Sequence, residues 1–437
     1  MNKKLLLIPI GVGLVIFIIA HILEKDETGN KFEMIVVDDS KEVKASKGMK
    51  GVILFLDNSG SMKGFVDFAS MPNGNEANAT FISTLSNFMD RVKSNYQIEP
   101  VCYCGGSSYN RRSFLDGMED FSVFKGAVTQ LHKSISELVD SATDSTVVVF
   151  ASDMILSYGR KVLESKGKSY NKQQLEQLGA DVHNAMTNAK GKGLHAILFQ
   201  YYGDFNGKYY CNYTENIEPN AYSSTLMKDR PYYLLLIGKK DFLKDMADNN
   251  IFSNAQHVYA TFDLPEPSKK IPYRMEKNAG KVGWNIGNPQ NDTIPGTIMS
   301  DTDFGDEESS LRLSYKSFNI PSYTNLNSEN KLTPKFDNNV IKDVIVETAP
   351  ESEEQILIVT LNKYKDLSTT KDVTIRLCTD NSWIDKATTL DDVKDGKIEK
   401  KTWGFSTVVN NINKVYRSDE SLKPEIVAEL KFNIIKK

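Results

Sequence analysis

One short stretch near the start of the chain limits its possible folds more than any other. Residues 51–56 are almost all apolar, and the run stops abruptly at Asp57. Such a run predicts a strand that is buried on both faces, as in the middle of a parallel sheet. Asp57 then lies at the carboxyl end of this strand, which is the edge where open α/β sheets bind ligands.

Three oxygen-bearing side chains follow the strand at alternate positions: Asp57, Ser59 and Ser61. Asn58 and Gly60 between them allow a tight turn that points successive oxygens towards one centre. One carboxylate with two hydroxyls is a set of hard oxygen ligands, which suits Mg²⁺, Mn²⁺ or Ca²⁺ better than zinc. The pattern therefore predicts a divalent-cation site, with a helix N-cap or an ordinary serine loop as the alternative.

The segment 57–61, Asp-x-Ser-x-Ser between an apolar strand and a helix, resembles the metal-ion-dependent adhesion site of von Willebrand factor type A (vWA) domains. A second similarity lies further along, where the apolar run 146–151 ends in Ser152-Asp153. The resemblance implies that Asp153 completes the metal site from the strand across the switch point, through a water molecule. The family usually has glycine after this aspartate, whereas Met154 stands here. A helix cap or a solvated loop acid is the alternative role for Asp153.

Members of this family also use a threonine ligand from the loop before the preceding helix. Residues 115–122 contain no threonine, but Ser122 offers the same kind of hydroxyl and Asp120 offers a carboxylate. Helix N-capping explains both residues at least as well. The resemblance thus gives a predicted ligand set of Asp57, Ser59, Ser61, Asp153 and Ser122. Mg²⁺ is the predicted cation, with Mn²⁺ or Ca²⁺ as alternatives.

The N-terminal region has the pattern of a membrane anchor. Two lysines in residues 1–4 precede residues 5–23, which carry no formal charge, and acidic residues follow. At a rise of ~1.5 Å per residue, this stretch is long enough for a helix that crosses a bilayer core. The charges predict a cytoplasmic N-terminus, with the bulk of the protein periplasmic or extracellular as in a bacterial envelope protein. No small-x-small site follows, which favours an uncleaved anchor and a tether over 24–50 rather than a cleaved signal peptide.

Strands and helices alternate from residue 51 to residue 264. This order predicts an α/β fold with a doubly wound, mostly parallel sheet flanked by helices, and the resemblance implies the vWA fold for it. Within this domain we expect a helix over 122–139. Asn206-Gly207 predicts a tight hairpin turn.

Residues 265–437 have a different pattern. Short alternating stretches are separated by Gly, Pro, Asn and Asp, which favours a β-rich, sandwich-like domain. Residues 301–308 are rich in acids and loosely resemble a calcium loop, but their glycine is misplaced for an EF-hand. A solvated acidic turn explains this segment better.

Composition excludes some classes of function. The net charge of −4 includes no basic surplus, so we expect no nucleic-acid partner. Four cysteines are too few for a disulfide scaffold, and we expect free or buried thiols. None of the five histidines lies near a Cys or Ser in a recognised pattern, and Ser59 lacks the Gly-x-Ser-x-Gly elbow. The sequence therefore predicts no catalytic residues.

These observations together predict a membrane-anchored protein that mediates protein–protein interaction. A protein partner would present a carboxylate to the open coordination position of the bound cation. In one alternative, the chain is a structural component of an envelope complex, the metal only staples the fold, and the β-rich domain makes the contacts. In a second alternative, the chain is an uncharacterised hydrolase.

Overall fold

A computed structural model describes residues 48–67, 79–126, 131–155, 170–210, 221–249, 251–252, 255–262, 271, 273–279, 284–286, 296–299, 309–316, 332–336, 341–348, 354–361, 371–378, 380–390, 400–417 and 426–436 of the chain. Residues 45–437 form one compact unit. The predicted anchor over 5–23 and the acidic segment 301–308 lie outside the described ranges. None of the helices in those ranges combines the length and the apolar character that a membrane span needs.

A seven-stranded sheet forms the centre of the molecule. Its strands are β1 (Gly51–Leu56), β2 (Val101–Cys104), β3 (Ser107–Tyr109), β4 (Thr146–Ser152), β5 (His195–Tyr210), β6 (Ala221–Gly238) and β7 (His257–Ala260). They lie in the order β3-β2-β1-β4-β6-β5-β7. β1 pairs in parallel with β2 and β4, and the remaining neighbours are antiparallel. The carboxyl ends of β1, β2 and β4 therefore meet at one edge.

Helices cover both faces of this sheet. They are α1 (Ala79–Tyr96), α2 (Arg111–Glu119), α3 (Leu131–Ser141), α4 (Tyr170–Gly191), α5 (Lys240–Asp248), α6 (Trp383–Lys386) and α7 (Phe405–Tyr416). α1, α2 and α5 share one buried core with one face of the sheet. α3, α4, α6 and α7 share a second core with the other face. The predicted α/β fold with a large central sheet is confirmed, and the sheet is parallel at its centre.

The central strands differ in how well the two faces are covered. Every residue of β4 after Thr146 is buried, as the apolar run predicts. In β1 only Val52, Leu54 and Leu56 are buried, while Ile53 and Phe55 on the opposite face are half-buried. The prediction that β1 is buried on both faces is therefore wrong. The physical reason is a cavity between this part of the sheet and α3, which Ile53 and Phe55 line.

The β-rich part contains two larger sheets. Its strands are β8 (Arg274–Ala279), β9 (Trp284–Ile286), β10 (Gly296–Met299), β11 (Ser309–Lys316), β12 (Thr333–Phe336), β13 (Ile341–Thr348), β14 (Glu354–Leu361), β15 (Lys371–Cys378), β16 (Thr388–Thr389), β17 (Thr402–Trp403) and β18 (Ile426–Lys436). One sheet has the order β12-β15-β18-β10-β9 and the other has the order β13-β14-β11-β8. Side chains of both sheets, such as Leu313, Leu357, Ile375 and Leu430, share one buried core.

Residues 380–390 and 400–417, between β15 and β18, pack on the central sheet rather than within this β-rich core. Trp403 and Phe405 are fully buried in the core that also contains Tyr233 of β6. A Cβ added to Gly179 of α4 would lie 2.7 Å from the Asn411 amide nitrogen, so the absent side chain allows α7 to approach closely. The sequence pattern did not indicate that these residues pack on the central sheet. Periodicity predicts that a face is buried, but it does not predict which distant segment covers it.

Two local predictions are wrong. β5 continues through Asn206 and Gly207, which pair with Leu226 and Thr225 of β6, so no hairpin turn forms there. A Cβ at Gly207 would lie 2.7 Å from Gly64 Cα in the 3₁₀ helix Gly60–Phe65. This glycine therefore permits the close approach of two backbones rather than a turn.

The predicted helix over 122–139 is shorter in the structure. Residues 121–126 form turns and coil, and α3 begins at Leu131. Phe121 has φ +62°, outside the right-handed helical region. Phe124 is buried in the core that contains α1, whereas Leu131 is buried in the core on the other face.

Candidate metal centre

The predicted site lies at the edge where β1 and β4 end. The backbone N–H of Asp57 donates a 2.9 Å hydrogen bond to the Ala151 carbonyl, so the ladder continues one residue beyond β1. Asp57, Ser59 and Ser61 are only 5, 2 and 7% exposed, and Asp153 is 1% exposed. The fold thus buries four polar side chains at the sheet edge, where their oxygens need partners.

Hydrogen bonds connect this loop to the end of β4. One carboxylate oxygen of Asp57, Oδ1, accepts from the Ser59 N–H at 2.9 Å, and the other, Oδ2, accepts from the Ser152 hydroxyl at 2.8 Å. The Ser59 and Ser61 hydroxyl oxygens are 3.0 Å apart. The Ser59 and Ser61 hydroxyls therefore lie side by side, while the Asp57 carboxylate is held by the Ser59 N–H and the Ser152 hydroxyl. Coordination of one cation by all three side chains stays a prediction.

Asp153 is buried with one carboxylate oxygen unsatisfied. Its Oδ1 accepts a 3.2 Å hydrogen bond from the Ile155 N–H, while Oδ2 has no hydrogen-bond partner in the described part of the chain. Burial, and next the negative charge of Asp57, raise the pKa of Asp153 to about 6, against smaller lowering effects of Arg230, the Ile155 N–H and Ser61. Within the described residues, Oδ2 of this buried carboxylate is therefore unsatisfied, and the lowering effects of Arg230 and Ser61 do not outweigh burial and the charge of Asp57.

Asn58 is held between two other loops. Its carbonyl accepts a 3.0 Å hydrogen bond from the Gly126 N–H. A Cβ at Gly126 would lie 2.4 Å from Asn58 Oδ1, and one at Gly105 would lie 2.6 Å from Asn58 Nδ2. A side chain in place of either glycine would therefore clash with Asn58. The sequence analysis gave Asn58 only a turn role, and the two distant glycines carried no signal of this contact.

Met154 has a backbone conformation that is unusual for a residue with a side chain. Its φ is +56°, in the left-handed region that favours glycine. This left-handed conformation costs a residue with a side chain about 1–2 kcal/mol. Burial of the Met154 side chain, which is only 1% exposed, offsets this cost. The Met154 N–H also donates a 2.9 Å hydrogen bond to the Ser152 hydroxyl. The tight turn after Asp153 thus forms without the glycine that the resemblance implies.

Ser122 and Asp120 have a different environment from the four buried residues. Both are exposed, and Asp120 Oδ1 accepts a 2.8 Å hydrogen bond from the Ser122 N–H. Hydrogen bonds from Ser122 lower the pKa of Asp120. This arrangement is a local turn, and a ligand role for either residue stays a prediction.

Sequence reasoning missed Arg230, which lies in β6 and is fully buried. Its Nη1 donates a 2.9 Å hydrogen bond to the Lys401 carbonyl, in the segment that precedes α7. The positive charge of Arg230 lowers the pKa of Asp153. No motif surrounds this arginine, so only the tertiary structure shows that it acts on the site.

The remaining titratable groups do not enlarge the centre. Within the described ranges, no group of three or more His, Cys, Asp or Glu side chains is placed to hold a metal ion. A cation at this edge would therefore depend on hydroxyl oxygens beside two carboxylates. Cys102, Cys104 and Cys378 are free and buried, as predicted, and burial raises the pKa of Cys102 and Cys104 to about 12.

Comparison of the chain with models of known protein families, with curated proteins and with solved structures found no match.

Proposed function

We propose that this chain is a vWA-type domain, followed by a sandwich-like β domain, that binds a divalent cation through Asp57, Ser59, Ser61 and Asp153. The observation that carries the proposal is that one oxygen of buried Asp153 has no hydrogen-bond partner within the described residues, while the negative charge of Asp57 acts on the same carboxylate. A cation would neutralise the repulsion between these two carboxylates and complete the coordination that the protein leaves open.

The chemistry of the donor set fits a hard cation. Carboxylate and hydroxyl oxygens suit Mg²⁺, with Mn²⁺ or Ca²⁺ as alternatives, whereas the nitrogen and sulfur ligands that zinc prefers are not among the four proposed ligands. Two of the four side chains, Ser59 and Ser61, are neutral, and Arg230 adds positive charge near Asp153. This balance favours an external anion as the additional ligand.

The external ligand we propose is a carboxylate from a protein partner, so the protein acts as a binding module rather than as an enzyme. We further propose that residues 5–23 anchor it in a bacterial membrane, with residues 1–4 in the cytoplasm and the rest outside. The apolar length and the flanking charges of the N-terminal sequence support this placement.

Calorimetric titration of Mg²⁺, Mn²⁺ and Ca²⁺ into the full chain tests the cation site. We expect one site in the wild type, and a loss of about tenfold or more in affinity in both Asp57→Asn and Asp153→Asn, because each removes a charge from the ion. Asp116→Asn is the matched control, since Asp116 is an exposed acid on α2. Absence of binding by the wild type would contradict the proposal.

A second titration tests the external carboxylate. The peptide Gly-Glu-Gly should bind the cation-loaded protein, while its neutral isostere Gly-Gln-Gly should not. Ser122→Ala, compared with the wild type in the first titration, tests whether this hydroxyl contributes to cation affinity. If Asp57→Asn lowers only the unfolding temperature and the peptide does not bind, the metal serves as a structural staple.

A further inference from the structure

A second candidate site lies beside the metal centre. A cavity of about 360 Å³ opens at the carboxyl edge of β1 and β2 and extends towards α3. Asp57 and Asn58 form the side that adjoins the metal centre, and α3 forms the opposite wall. Its volume lies within the range of small-ligand pockets.

The floor of this cavity is aromatic. Phe55 of β1 lies opposite Tyr103 of β2 in the strand register, and their rings stack with centroids 5.3 Å apart and an interplanar angle of 19°. Both rings are half-buried, so part of their surface faces the cavity. Ile53, Leu138 and Phe150 complete the apolar part of the lining.

Among the described residues that line the cavity, those at the turn between β2 and β3 leave it open. Gly105 and Gly106, in the turn between β2 and β3, contribute backbone without side chains. Both have positive φ, and a Cβ at Gly106 would meet nothing within 4 Å. A flat group can therefore reach the stacked rings without displacing protein atoms at this turn.

The charge in the lining is negative. Glu137 of α3 is exposed at the cavity wall, Asp57 lies at the end next to the metal centre, and the hydroxyls of Ser134 and Ser141 offer further oxygens. Among the described residues that line the cavity there is no Lys, Arg or His. Aromatic faces next to carboxylates attract a cation with a flat or apolar body.

We propose that this cavity binds the guanidinium group of an arginine side chain from a protein partner. A planar guanidinium stacks on aromatic faces and donates two parallel hydrogen bonds to one carboxylate, whereas a lysine ammonium does neither. Phe55 and Tyr103 supply the faces, and Glu137 supplies the carboxylate. Glu137, Phe55 and Tyr103 are not among the proposed cation ligands, but Asp57 also lines the cavity, so the test is made without a divalent cation.

The test is titration of the full chain, in EDTA, with Nα-acetyl-arginine N-methylamide, followed by saturation-transfer NMR. The matched ligand is the citrulline analogue, which has nearly the same shape without the charge. We expect the citrulline analogue to bind about tenfold more weakly, because the charge-assisted bonds to Glu137 are lost. The lysine analogue should bind more weakly than the arginine analogue, since it does not stack.

Variants assign the effect to the cavity. Glu137→Gln should weaken binding of the arginine analogue about fivefold or more and leave the citrulline analogue unchanged. Phe55→Leu should weaken binding of both analogues, because it removes the stacking face. Glu119→Gln, an exposed acid on α2, should have no effect. Because Glu137 and Glu119 are both exposed, neither substitution is expected to impair folding.

Equal binding of the arginine and citrulline analogues, or equal effects of Glu137→Gln and Glu119→Gln, would overturn the inference. Equal binding of arginine and lysine analogues would overturn the assignment to a guanidinium. If the arginine analogue binds as expected and no divalent cation binds, only the proposed metal function fails. If a divalent cation binds and the arginine analogue does not, the proposed metal function stands and the arginine site fails.

Discussion

The two faces of the central sheet are covered in different ways. One face is covered by α1, α2 and α5, which come from the same half of the chain as the sheet. The other face is covered by α3, α4 and residues 380–390 and 400–417, which come from the β-rich half of the chain. This second face is also incomplete near β1, where Ile53 and Phe55 are only half-buried. The cavity that we propose as an arginine site lies where the covering of this face is incomplete.

The largest expected effect tests whether segment 380–417 is a structural part of the α/β core. Trp403 is 1% exposed in the core of the second face, so Trp403→Ala should lower the free energy of unfolding by about 3–5 kcal/mol. Leu390, in the same segment, is 63% exposed, and Leu390→Ala should change it by less than about 0.5 kcal/mol. Denaturant unfolding of both variants measures the difference. Equal effects would mean that the segment does not stabilise the sheet.

The next prediction concerns Asp153, at the carboxyl edge of the central sheet. Because Asp153 has a raised pKa in the folded protein, the folded state holds its proton more tightly than the unfolded state does. Stability without added cation should therefore fall as the pH rises from about 4 to about 6, by roughly 2–3 kcal/mol. Asp153→Asn should remove this fall. Denaturant unfolding across this pH range, with wild type and variant compared, tests it, and parallel curves would contradict it.

A smaller effect is expected at the contact between α4 and α7. Gly179→Leu would place a side chain against Asn411 and Thr407, so it should lower the free energy of unfolding by about 1–3 kcal/mol. Gly191, at the end of α4, has open space around it, and Gly191→Leu should have little effect. If both substitutions have the same cost, helix propensity rather than the close approach of α7 explains the result.

The smallest difference compares neighbours that point to opposite faces. Leu54 is fully buried on the first face, whereas Ile53 is half-buried beside the cavity. Leu54→Ala should lower the free energy of unfolding by about 2–5 kcal/mol. The loss in Ile53→Ala should be smaller than the loss in Leu54→Ala by about 1 kcal/mol. Thermal unfolding at one pH ranks the two variants. An equal cost would show that the second face is as well packed at β1 as the first.

Local patterns predicted much of the fold. The apolar runs before Asp57 and before Asp153 predict both central strands. Apolar residues at helical spacing predict a helix over 172–190, and α4 covers this range. In the β-rich half, alternating stretches predicted β11, β13, β14, β15 and β18. These elements succeed because their periodicity and their burial agree.

Other features depend on contacts that a local pattern does not contain. Residues 105–117 have few apolar residues and read as a loop, yet α2 begins at Arg111. In this helix Phe114, Gly117 and Met118 are buried. Gly207 reads as a turn residue in isolation, but its role is set by Gly64 far along the chain. In the site, spacing indicated the alternating oxygens, while the left-handed Met154 and the charge of Arg230 follow from tertiary structure.

The position of α7 has a consequence for how the chain is made. Synthesis runs from the N-terminus, and domains generally fold as they emerge. In the sheet, Tyr233 stacks on Phe405 and Tyr259 donates a hydrogen bond to Asn413. Both partners lie near the end of the chain, so they are synthesised long after the sheet. The part of this face that α7 covers therefore stays exposed until almost the whole chain has been synthesised. Any interruption before residue 416 would release a protein with an exposed apolar surface, which makes late translation the vulnerable stage of its biogenesis.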